Sequence, residues 1–399
     1  MSAPLNNIRI LDMSRILAGP WAAQLLGDYG ADVVKIERPQ CGDDTRQWGP
    51  PWLGDESAYF LSANRNKRSV TVDIALPAGQ ELIKGLAQKA DVLLENFKVG
   101  TMTGLGLGPD ALLELNPRLI YCSISAFGQS GSRAKEPGYD AMIQASAGLM
   151  SITGPAAPES GGPQKVGVAI ADIMAGMYAT TAILAALNAR SQSGVGQHID
   201  IPLYDSQVAW LANQNMNFLI GGNTPGRMGT AHPNLVPYQA FATSDGDLML
   251  AVGNDRQFLN CCDVLGLESV ARDVRFESAS SRVENRDVLI PLLQEKFEQG
   301  STQHWLTALQ ANGVPAGPIN DIKEVLTNKH AIERKLVRQI QNSNDKSVPQ
   351  VSNPVDFSAT PVRYERAPPL LGEHTKEVLK EWLGYSDTKI ETLRQSEVI

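Results

Sequence analysis

Residues 8–37 read IRILDMSRILAGPWAAQLLGDYGADVVKIE, and this stretch decides the fold class. The β-rich run at 8–14 predicts a strand, and Trp21, Leu25 and Leu26 follow with helical spacing. The run DVVKIE at 32–37 predicts a second strand. Because so short a strand-helix-strand unit is a crossover connection, we expect the two strands to be parallel.

The same alternation continues to about residue 128. Strands are predicted in SVTVDI, DVLLENF and RLIYCSIS, at 69–74, 91–97 and 118–125, with helical segments between them. Successive units of this kind predict an open α/β sheet.

The rest of the chain has a different character. After a long predicted helix at 172–190, the segment Gly221–Asn234 is predicted to be a linker. The run YQAFATSDGDLMLAV at 238–252 then predicts a β-hairpin with its turn at Asp245–Gly246. A chain of 399 residues with this organisation suggests two domains.

Composition argues against several classes of protein. The chain is 43% hydrophobic and 20% charged, which is typical of a soluble globular protein. Its net charge of -8 disfavours nucleic acid or an anionic membrane as the main partner. Four cysteines without CxxC spacing, and a start without a signal-peptide core, favour the cytoplasm. Residues 169–189 are apolar but contain Asp172 and Asn188, so we expect a buried helix.

Several kinds of active site are disfavoured by missing motifs. No GxGxxG follows the first strand, where Pro20 and Trp21 stand instead, which argues against a dinucleotide site. The five histidines are scattered without metal-ligand spacing, and no GxSxG occurs. These absences leave a carboxylate-based site as the remaining interpretation.

Asp172 is the carboxylate that stands out. It follows the small apolar run GVAIA and opens the predicted helix, so its side chain is expected at a helix N-terminus. One interpretation is a plain N-cap. The other is a nucleophile that the helix dipole and backbone N–H groups hold ionised. Spacing along the sequence does not separate the two.

Motifs across nearly the whole chain resemble the family III CoA-transferases, also called the carnitine and formyl-CoA transferase family. The motifs are SRILAGPWAAQLLGDYGADVVKIERPQCGDDTR, NRNKRSVTVDI, ADVLLENFKVG, LNPRLIYCSISAFGQSG, PGYDAMIQASAGLM and PPLLGEHT. The resemblance implies a large Rossmann-like domain with an open parallel sheet, built from residues 1–220 and 330–399. It also implies a smaller inserted α+β domain at 221–329, and an interlocked homodimer.

The same resemblance implies a reaction. In the family, the residue that corresponds to Asp172 attacks the donor thioester, forms a mixed anhydride and then carries CoA as an aspartyl thioester. CoA therefore enters as an acyl-CoA substrate, with no permanently bound cofactor and no metal. GTAHPNLVPYQAF, GVPAGPIND and PPLLGEHT resemble members that act on dicarboxylic acids. We therefore expect succinyl-CoA as the donor and glutarate, or a similar small dicarboxylic acid, as the acceptor.

The resemblance also assigns site residues. The positions that correspond to CoA contacts are Leu17, Ala18, Arg38, Val72, Asp73, Ile74, Ala75, Asn96, Phe97, Lys98, Pro137, Gly138, Tyr139 and Asp140. Gly104 stands where the formyl-CoA enzymes have an arginine, so that contact is lost or supplied by another residue such as Lys98.

Two further sets are expected near the reacting atoms. For the far carboxylate of the acceptor, Arg15 and the stretch with Arg227 and His232 are preferred, with Arg46 also available. Backbone donors for the oxyanion are expected from Gly221, Gly222, Gly226 or Gly229.

Two alternatives stay open at this point. An α-methylacyl-CoA racemase would keep the equivalent of Asp172 but pair it with a histidine, where this chain has Tyr139. A tyrosine, whose reference pKa is about 10, is a poor second base at neutral pH. The other alternative is a CoA-binding protein without turnover.

Overall fold

The computed structural model describes residues 2–156 and 161–399 of the chain. They divide into two compact units. The first unit contains the described residues up to Leu149, Val166–Gly222 and Lys329–Ile399. The second contains Asn223–Asn328 together with the described part of Met150–Lys165.

The described residues of both units form thirteen strands in all. In chain order, the strands are β1 (Arg9–Asp12), β2 (Asp32–Glu37), β3 (Trp52–Leu53), β4 (Glu56–Ser57), β5 (Lys67–Thr71), β6 (Val92–Glu95), β7 (Ile120–Ser125), β8 (Gln197–Pro202), β9 (Tyr238–Ala242), β10 (Asp247–Ala251), β11 (Ala316–Pro318), β12 (Val337–Gln341) and β13 (Ser347–Val351).

The helices cover more of the chain than the strands do. They are α1 (Ala18–Asp28), α2 (Ala58–Ser62), α3 (Pro77–Ala87), α4 (Thr101–Gly104), α5 (Pro109–Leu115), α6 (Asp140–Ser146), α7 (Leu149–Ile152), α8 (Ile170–Ser193), α9 (Leu203–Trp210), α10 (Asn213–Gly221), α11 (Asp255–Val264), α12 (Glu268–Ala271), α13 (Ala279–Glu284), α14 (Arg286–Phe297), α15 (Thr302–Ala311), α16 (Ile322–Thr327), α17 (Lys329–Glu333), α18 (Thr375–Leu383) and α19 (Asp387–Gln395).

A six-stranded sheet organises the first unit. Its order is β5-β2-β1-β6-β7-β8, and every neighbouring pair is parallel. This confirms the α/β fold predicted from the strand-helix alternation. The edge strand β8 was not predicted from its sequence QHIDIP, which leads directly into α9 without a turn residue such as Gly or Asn between them.

Both faces of this sheet are covered. Ile10 of β1 packs in one apolar cluster with α1 and α8, whereas its neighbour Leu11 packs in another with α3 and α18. The alternation of side chains along a strand explains this division. A sheet buried on both faces leaves its strand ends as the place for polar chemistry.

The strand order also determines where a ligand can enter. The chain runs from β1 outward through β2 to β5, then returns to the other side of β1 with β6. In open α/β sheets, ligands bind beyond the carboxyl ends of the strands where the order reverses. The segments that follow β1 and β6 are therefore the expected walls of a site.

Helix α8 packs closely against the start of α1. A Cβ on Gly176 would lie 2.6 Å from the carbonyl oxygen of Ala18, so a side chain there would force the helices apart. The helix was expected to be buried, but only one face is, and Met177 and Tyr178 are exposed on the other. Among the described residues, α8 is also long and apolar enough to span a membrane, a test that core helices pass as well.

The second unit contains its own sheet and core. The predicted hairpin is confirmed: β9 and β10 are antiparallel, and Thr243 N–H donates to the carbonyl of Gly246 across the turn at 2.8 Å. Part of the 150–165 segment, which the sequence assigned to the large domain, joins this unit instead. The reason is local bonding, since Gly229 N–H donates to the Gly154 carbonyl at 3.1 Å.

Candidate active site

Two cavities open at the carboxyl ends of the strands in the first unit, and Arg15 lines both. The first, of about 210 Å³, is lined by Met13, Arg15, Lys35, Ile36, Glu37, Arg38, Gly42, Asp43, Val72, Asp73, Ile74, Ala75 and Phe97. The second, of about 180 Å³, is lined by Arg15, Ile16, Leu17, Ala18, Asp44, Asn96, Lys98, Ile124, Ser125, Ala126, Pro137, Gly138, Tyr139, Asp172 and Leu203.

The structure thus brings together nearly all the predicted residues of the first unit. Arg38, Phe97 and the run Val72–Ala75 line the first cavity, whereas the remaining predicted CoA contacts and Asp172 line the second. Asp140 lines neither cavity, because its carboxylate is engaged at the start of α8, as described below.

The turn after β1 forms the wall between the two cavities. Arg15 N–H donates to Asn96 Oδ1 at 2.8 Å, and Asn96 Nδ2 donates back to the Arg15 carbonyl at 2.7 Å. These bonds join the segments after β1 and β6 at the reversal of strand order. Ile16 has a φ of +70°, a left-handed conformation that costs a β-branched residue about 1–3 kcal/mol. Its N–H donates to Asp43 Oδ1 at 3.3 Å.

A buried network of charges supports this turn. Lys35 Nζ lies 2.9 Å from both the Ser14 carbonyl oxygen and Asp43 Oδ2. Lys67 Nζ lies 2.9 Å from Asp12 Oδ2, and both lysines are fully buried. Burial lowers the pKa of Lys67 to about 8, although the charge of Asp12 opposes the shift. Every carboxylate of this network faces a cation, so the network is a rigid support.

Three arginines lie in a second ion-paired group, and they differ in whether their charge is available to a ligand. Arg46 is buried and bonded to Glu37 and Glu56, so it is not available for an acceptor acid. Arg15 and Arg38 instead share the exposed carboxylate of Asp44, with Arg15 Nη1 at 3.2 Å from it. The Arg15 guanidinium also lies over the Phe97 ring, 5.2 Å from its centroid.

The surroundings of Asp172 differ from both sequence-based interpretations. Helix α8 begins at Ile170 with Ala169 as its N-cap, so Asp172 lies inside the first turn and is not the cap. Asp140 provides that function, since its Oδ1 accepts Ala171 N–H at 2.7 Å and Asp172 N–H at 3.4 Å.

In the part of the chain that the structure describes, the carboxylate of Asp172 has no compensating partner. Among the described residues, no salt bridge and no hydrogen bond to its side chain is found. Burial, together with the like charge of Asp140, raises the pKa of Asp172 to about 7. The expectation that the helix N-terminus holds it ionised is thus wrong, because a second carboxylate already occupies the free N–H groups.

One residue that Asp172 influences, Tyr59, was not predicted from the sequence. Tyr59 is partly buried, and its pKa is raised to about 12 by burial and by the charges of Asp172 and Asp140. It must therefore lie near these carboxylates. Trp48 stacks edge-on against it, with the ring centroids 5.1 Å apart. Trp48 lies outside the strands and α-helices, and Tyr59 lies in the five-residue helix α2, which is too short for periodicity to give a signal.

The other predicted residues lie in the second unit. Arg227 Nε donates to the Pro155 carbonyl at 3.2 Å. His232 Nδ1 accepts Asn234 N–H at 3.0 Å, and its ring lies against Tyr238. A role for Arg227 and His232 toward the acceptor stays a prediction.

The expected oxyanion glycines are largely engaged. Gly221 is the last residue of α10, and Gly222 N–H caps that helix by donating to the Phe218 carbonyl at 2.8 Å. Gly229 N–H donates to Gly154, as noted above. Of the four candidates, only Gly226 has an N–H without a backbone acceptor among the described residues, so the expectation narrows to that position.

Comparison with known proteins gives the class of this one. The chain belongs to CoA-transferase family III, whose model matches residues 5–375.

Individual relatives are similar over nearly their full length. The chain is 46% identical to a succinate–glutarate CoA-transferase of Agrobacterium fabrum over 384 residues, covering 95% of each chain. It is 43% identical to the human succinyl-CoA:glutarate CoA-transferase, covering 99% of this chain and 90% of the human one. A CAIB/BAIF family protein from Brucella suis, known from its crystal structure, superposes with a TM-score of 0.83 at 43% identity, covering 96% of this chain and all of that one.

Proposed function

We propose that this protein transfers CoA from succinyl-CoA to a small dicarboxylic acid, with glutarate as the leading acceptor, and that Asp172 carries CoA during the transfer. The observation that carries the proposal is an uncompensated carboxylate in the wall of a cavity that nearly all the predicted CoA contacts also line. The names of the bacterial and human relatives support the choice of donor and acceptor.

The first half of the reaction loads the enzyme. The ionised Asp172 carboxylate attacks the thioester carbonyl of succinyl-CoA, and the CoA thiolate leaves with the bonding electrons, which gives a succinyl-aspartyl anhydride. The thiolate then attacks the aspartyl carbonyl of this anhydride, and succinate leaves. The product is an aspartyl-CoA thioester on Asp172, and no proton is gained or lost overall.

The second half is the reverse with a new acid. The acceptor carboxylate attacks the aspartyl thioester, releases CoA thiolate and forms a second anhydride. The thiolate attacks the acceptor's carbonyl, which restores the Asp172 carboxylate and yields the new acyl-CoA. Since one thioester and one carboxylate replace another pair of the same kind, no ATP is required, provided that water is kept from the anhydrides.

The environment of Asp172 suits a nucleophile. A carboxylate paired with a cation would be stabilised in its ground state and would react slowly, whereas burial beside a like charge makes it more basic. With a pKa of about 7, a substantial fraction is still ionised at neutral pH. Arg15, which lines both cavities, supports binding of an anionic group there.

Incubation with succinyl-CoA in the absence of an acceptor tests the mechanism. Intact-mass measurement should detect a CoA adduct that maps to Asp172, is cleaved by hydroxylamine and is missing in Asp172→Ala. A panel of glutarate, hydroxymethylglutarate, itaconate and malate should then discharge it at different rates. Tight CoA binding with neither adduct nor exchange would favour a binding protein without turnover.

We also infer an interlocked homodimer in the cytoplasm. Helix α10 supports the dimer, because Phe218, Leu219 and Ile220 are exposed and the helix has no buried residue within one chain. Four unpaired cysteines support the reducing compartment. Light scattering of the purified protein should give twice the chain mass of 43.1 kDa, and a single-chain mass would remove the dimer.

A further inference from the structure

Gln144, on helix α6, connects three elements around the start of α8. Its side chain is fully buried, and its amide nitrogen donates to Asp140 Oδ2 at 2.7 Å and more weakly to the Val168 carbonyl at 3.4 Å. Its amide oxygen accepts Val166 N–H at 2.8 Å. Both ends of the side chain are therefore used, which fixes its orientation.

The hydrogen bonds of Gln144 are linked to Asp172 through Asp140. The oxygen of Asp140 that Gln144 does not contact accepts the N–H groups of Ala171 and Asp172. Gln144 thus holds one carboxylate oxygen while the other caps the helix. It also fixes the segment before α8 through Val166, so the start of α8 is held from both sides.

A neutral amide is the suitable group at this position. A carboxylate in its place would face the Asp140 carboxylate, and an apolar side chain would leave Asp140 Oδ2 and Val166 N–H without this partner in a partly buried location. Either change would let Asp140 rotate away from the helix N-terminus.

We propose that Gln144 is a positioning residue for the reaction at Asp172, which it controls by orienting the Asp140 carboxylate that caps α8. This inference rests on the proposed function only for its kinetic consequence. The geometric part, that Gln144 maintains the Asp140 cap, can be measured without any turnover.

The first measurement is hydrogen–deuterium exchange in the ligand-free protein. In Gln144→Glu, the amides of Ala171 and Asp172 should exchange at least about tenfold faster, because a lost charged hydrogen bond is worth more than 1.4 kcal/mol. Exchange at the wild-type rate would overturn the proposal. If the Glu variant does not fold, Gln144→Met removes the same donor without adding charge and carries the same expectation.

The second measurement is the rate of aspartyl-CoA formation. In Gln144→Glu this rate should fall about tenfold or more, while the KM for succinyl-CoA changes less than about twofold, since Gln144 lines neither cavity. A wild type without an adduct would refute the proposed function and leave the exchange result standing. A wild type with an adduct and a variant of equal rate would refute the positioning role alone.

A double variant in which the carboxylate of residue 140 and the amide of residue 144 change places gives the most specific test. In Asp140→Asn combined with Gln144→Glu, the Asn amide can donate to the Glu carboxylate, while the remaining oxygens accept Ala171 N–H and Val166 N–H. Net charge and the main hydrogen bonds are retained. The double variant should therefore recover to within about threefold of the wild-type rate, and failure to recover would overturn the proposal.

Gln350 provides the matched control. It is also buried and donates its amide to two backbone carbonyls, those of Leu61 and Pro349, but it lies on β13 away from both cavities. Gln350→Glu should lower the free energy of unfolding and leave the adduct rate unchanged. An equal rate loss in this variant would mean that any buried charge disturbs the site.

Discussion

The carboxylates at the carboxyl edge of the sheet fall into two groups with opposite electrostatics. Beneath the turn after β1, Asp12, Asp43 and Glu37 each face a buried cation, and the net effect on their pKa values is a decrease in spite of burial, which for Asp43 reaches about 2. At the start of α8, Asp172 has no cation partner among the residues that the structure describes and faces Asp140, and its pKa is raised to about 7. The ion-paired carboxylates of the first group stabilise the geometry of the site. In the second group, the unpaired carboxylate of Asp172 is kept reactive.

This difference separates two uses of burial. A buried ion pair gains little net stability, but it strongly penalises the loss of either partner, so it fixes the geometry around it. A buried carboxylate without a partner reduces stability and gains nucleophilicity. The carboxyl edge of this one sheet contains both buried ion pairs and an unpaired carboxylate. The effect of each on stability and activity can be tested by removing a single charge.

Replacing Asp172 should have the largest effect. In Asp172→Asn, CoA transfer should fall by at least about 10⁴-fold, because the covalent route is lost. Since the pKa of Asp172 is raised from 3.8 to about 7 in the folded state, stability falls progressively as pH rises from about 4 to about 7 and the loss is complete above that. At pH 8 the variant should therefore gain about 2 kcal/mol in the free energy of unfolding, a value reduced for partial exposure.

Turnover assays and urea unfolding at pH 5 and pH 8 measure both parts. The gain should be smaller at pH 5, where Asp172 is protonated in the folded wild type but ionised in the unfolded chain, and it should vanish only below the ordinary carboxyl pKa of 3.8. A variant that is less stable than the wild type at pH 8 would show that Asp172 has a stabilising partner.

Breaking the compensated group should act in the opposite direction. Asp12→Asn leaves the fully buried Lys67 beside a neutral group, and the free energy of unfolding should fall by about 3–5 kcal/mol. Urea unfolding at pH 7 measures this change. Glu81→Gln, which removes an exposed pair with Lys84, is the control and should cost less than about 0.5 kcal/mol.

The pH dependence of loading should sharpen the comparison. Asp172 must be ionised to attack, so kcat/KM for adduct formation should rise with pH and reach half its plateau near pH 7. Asp140→Asn removes the like charge and should lower this midpoint by about one pH unit. Relative to its own plateau, the variant should then be about fivefold faster than the wild type at pH 6. An unchanged midpoint would mean that burial alone raises the pKa.

The fold could be predicted because local patterns specify it. Short β-rich runs mark the strands up to β7, and DVVKIE matches β2 residue for residue. The position of Asp172 near the start of α8 could also be predicted from the sequence. The contribution of Asp140 could not be predicted, because Asp140 caps α8 from a different helix and no sequence spacing connects it with Asp172.

Burial of charge was the other feature that the sequence concealed. Lysines are rarely buried, so Lys35 and Lys67 gave no sign that they support the turn. Tyr59 reaches the neighbourhood of Asp172 only through tertiary structure. Such residues are recognised by what surrounds them in space, and a single sequence contains no record of that.

Asp44 is intermediate between the two groups of carboxylates, because it is ion-paired but exposed. Replacing it should have the smallest effect of the changes considered. Its exposed carboxylate binds Arg15 and Arg38, which line the cavities and are among the cations that an anionic ligand would meet there. Exposed pairs of this kind contribute about 0–1 kcal/mol. In Asp44→Ala, both arginines lose a competing anion, so the Kd for CoA should fall by about twofold to threefold, with a steeper salt dependence. Calorimetry at low and high salt measures it, with Asp44→Asn as the isosteric control. If Asp44→Ala weakened CoA binding tenfold instead, Asp44 would belong with the compensated carboxylates, as a support that orients the arginines.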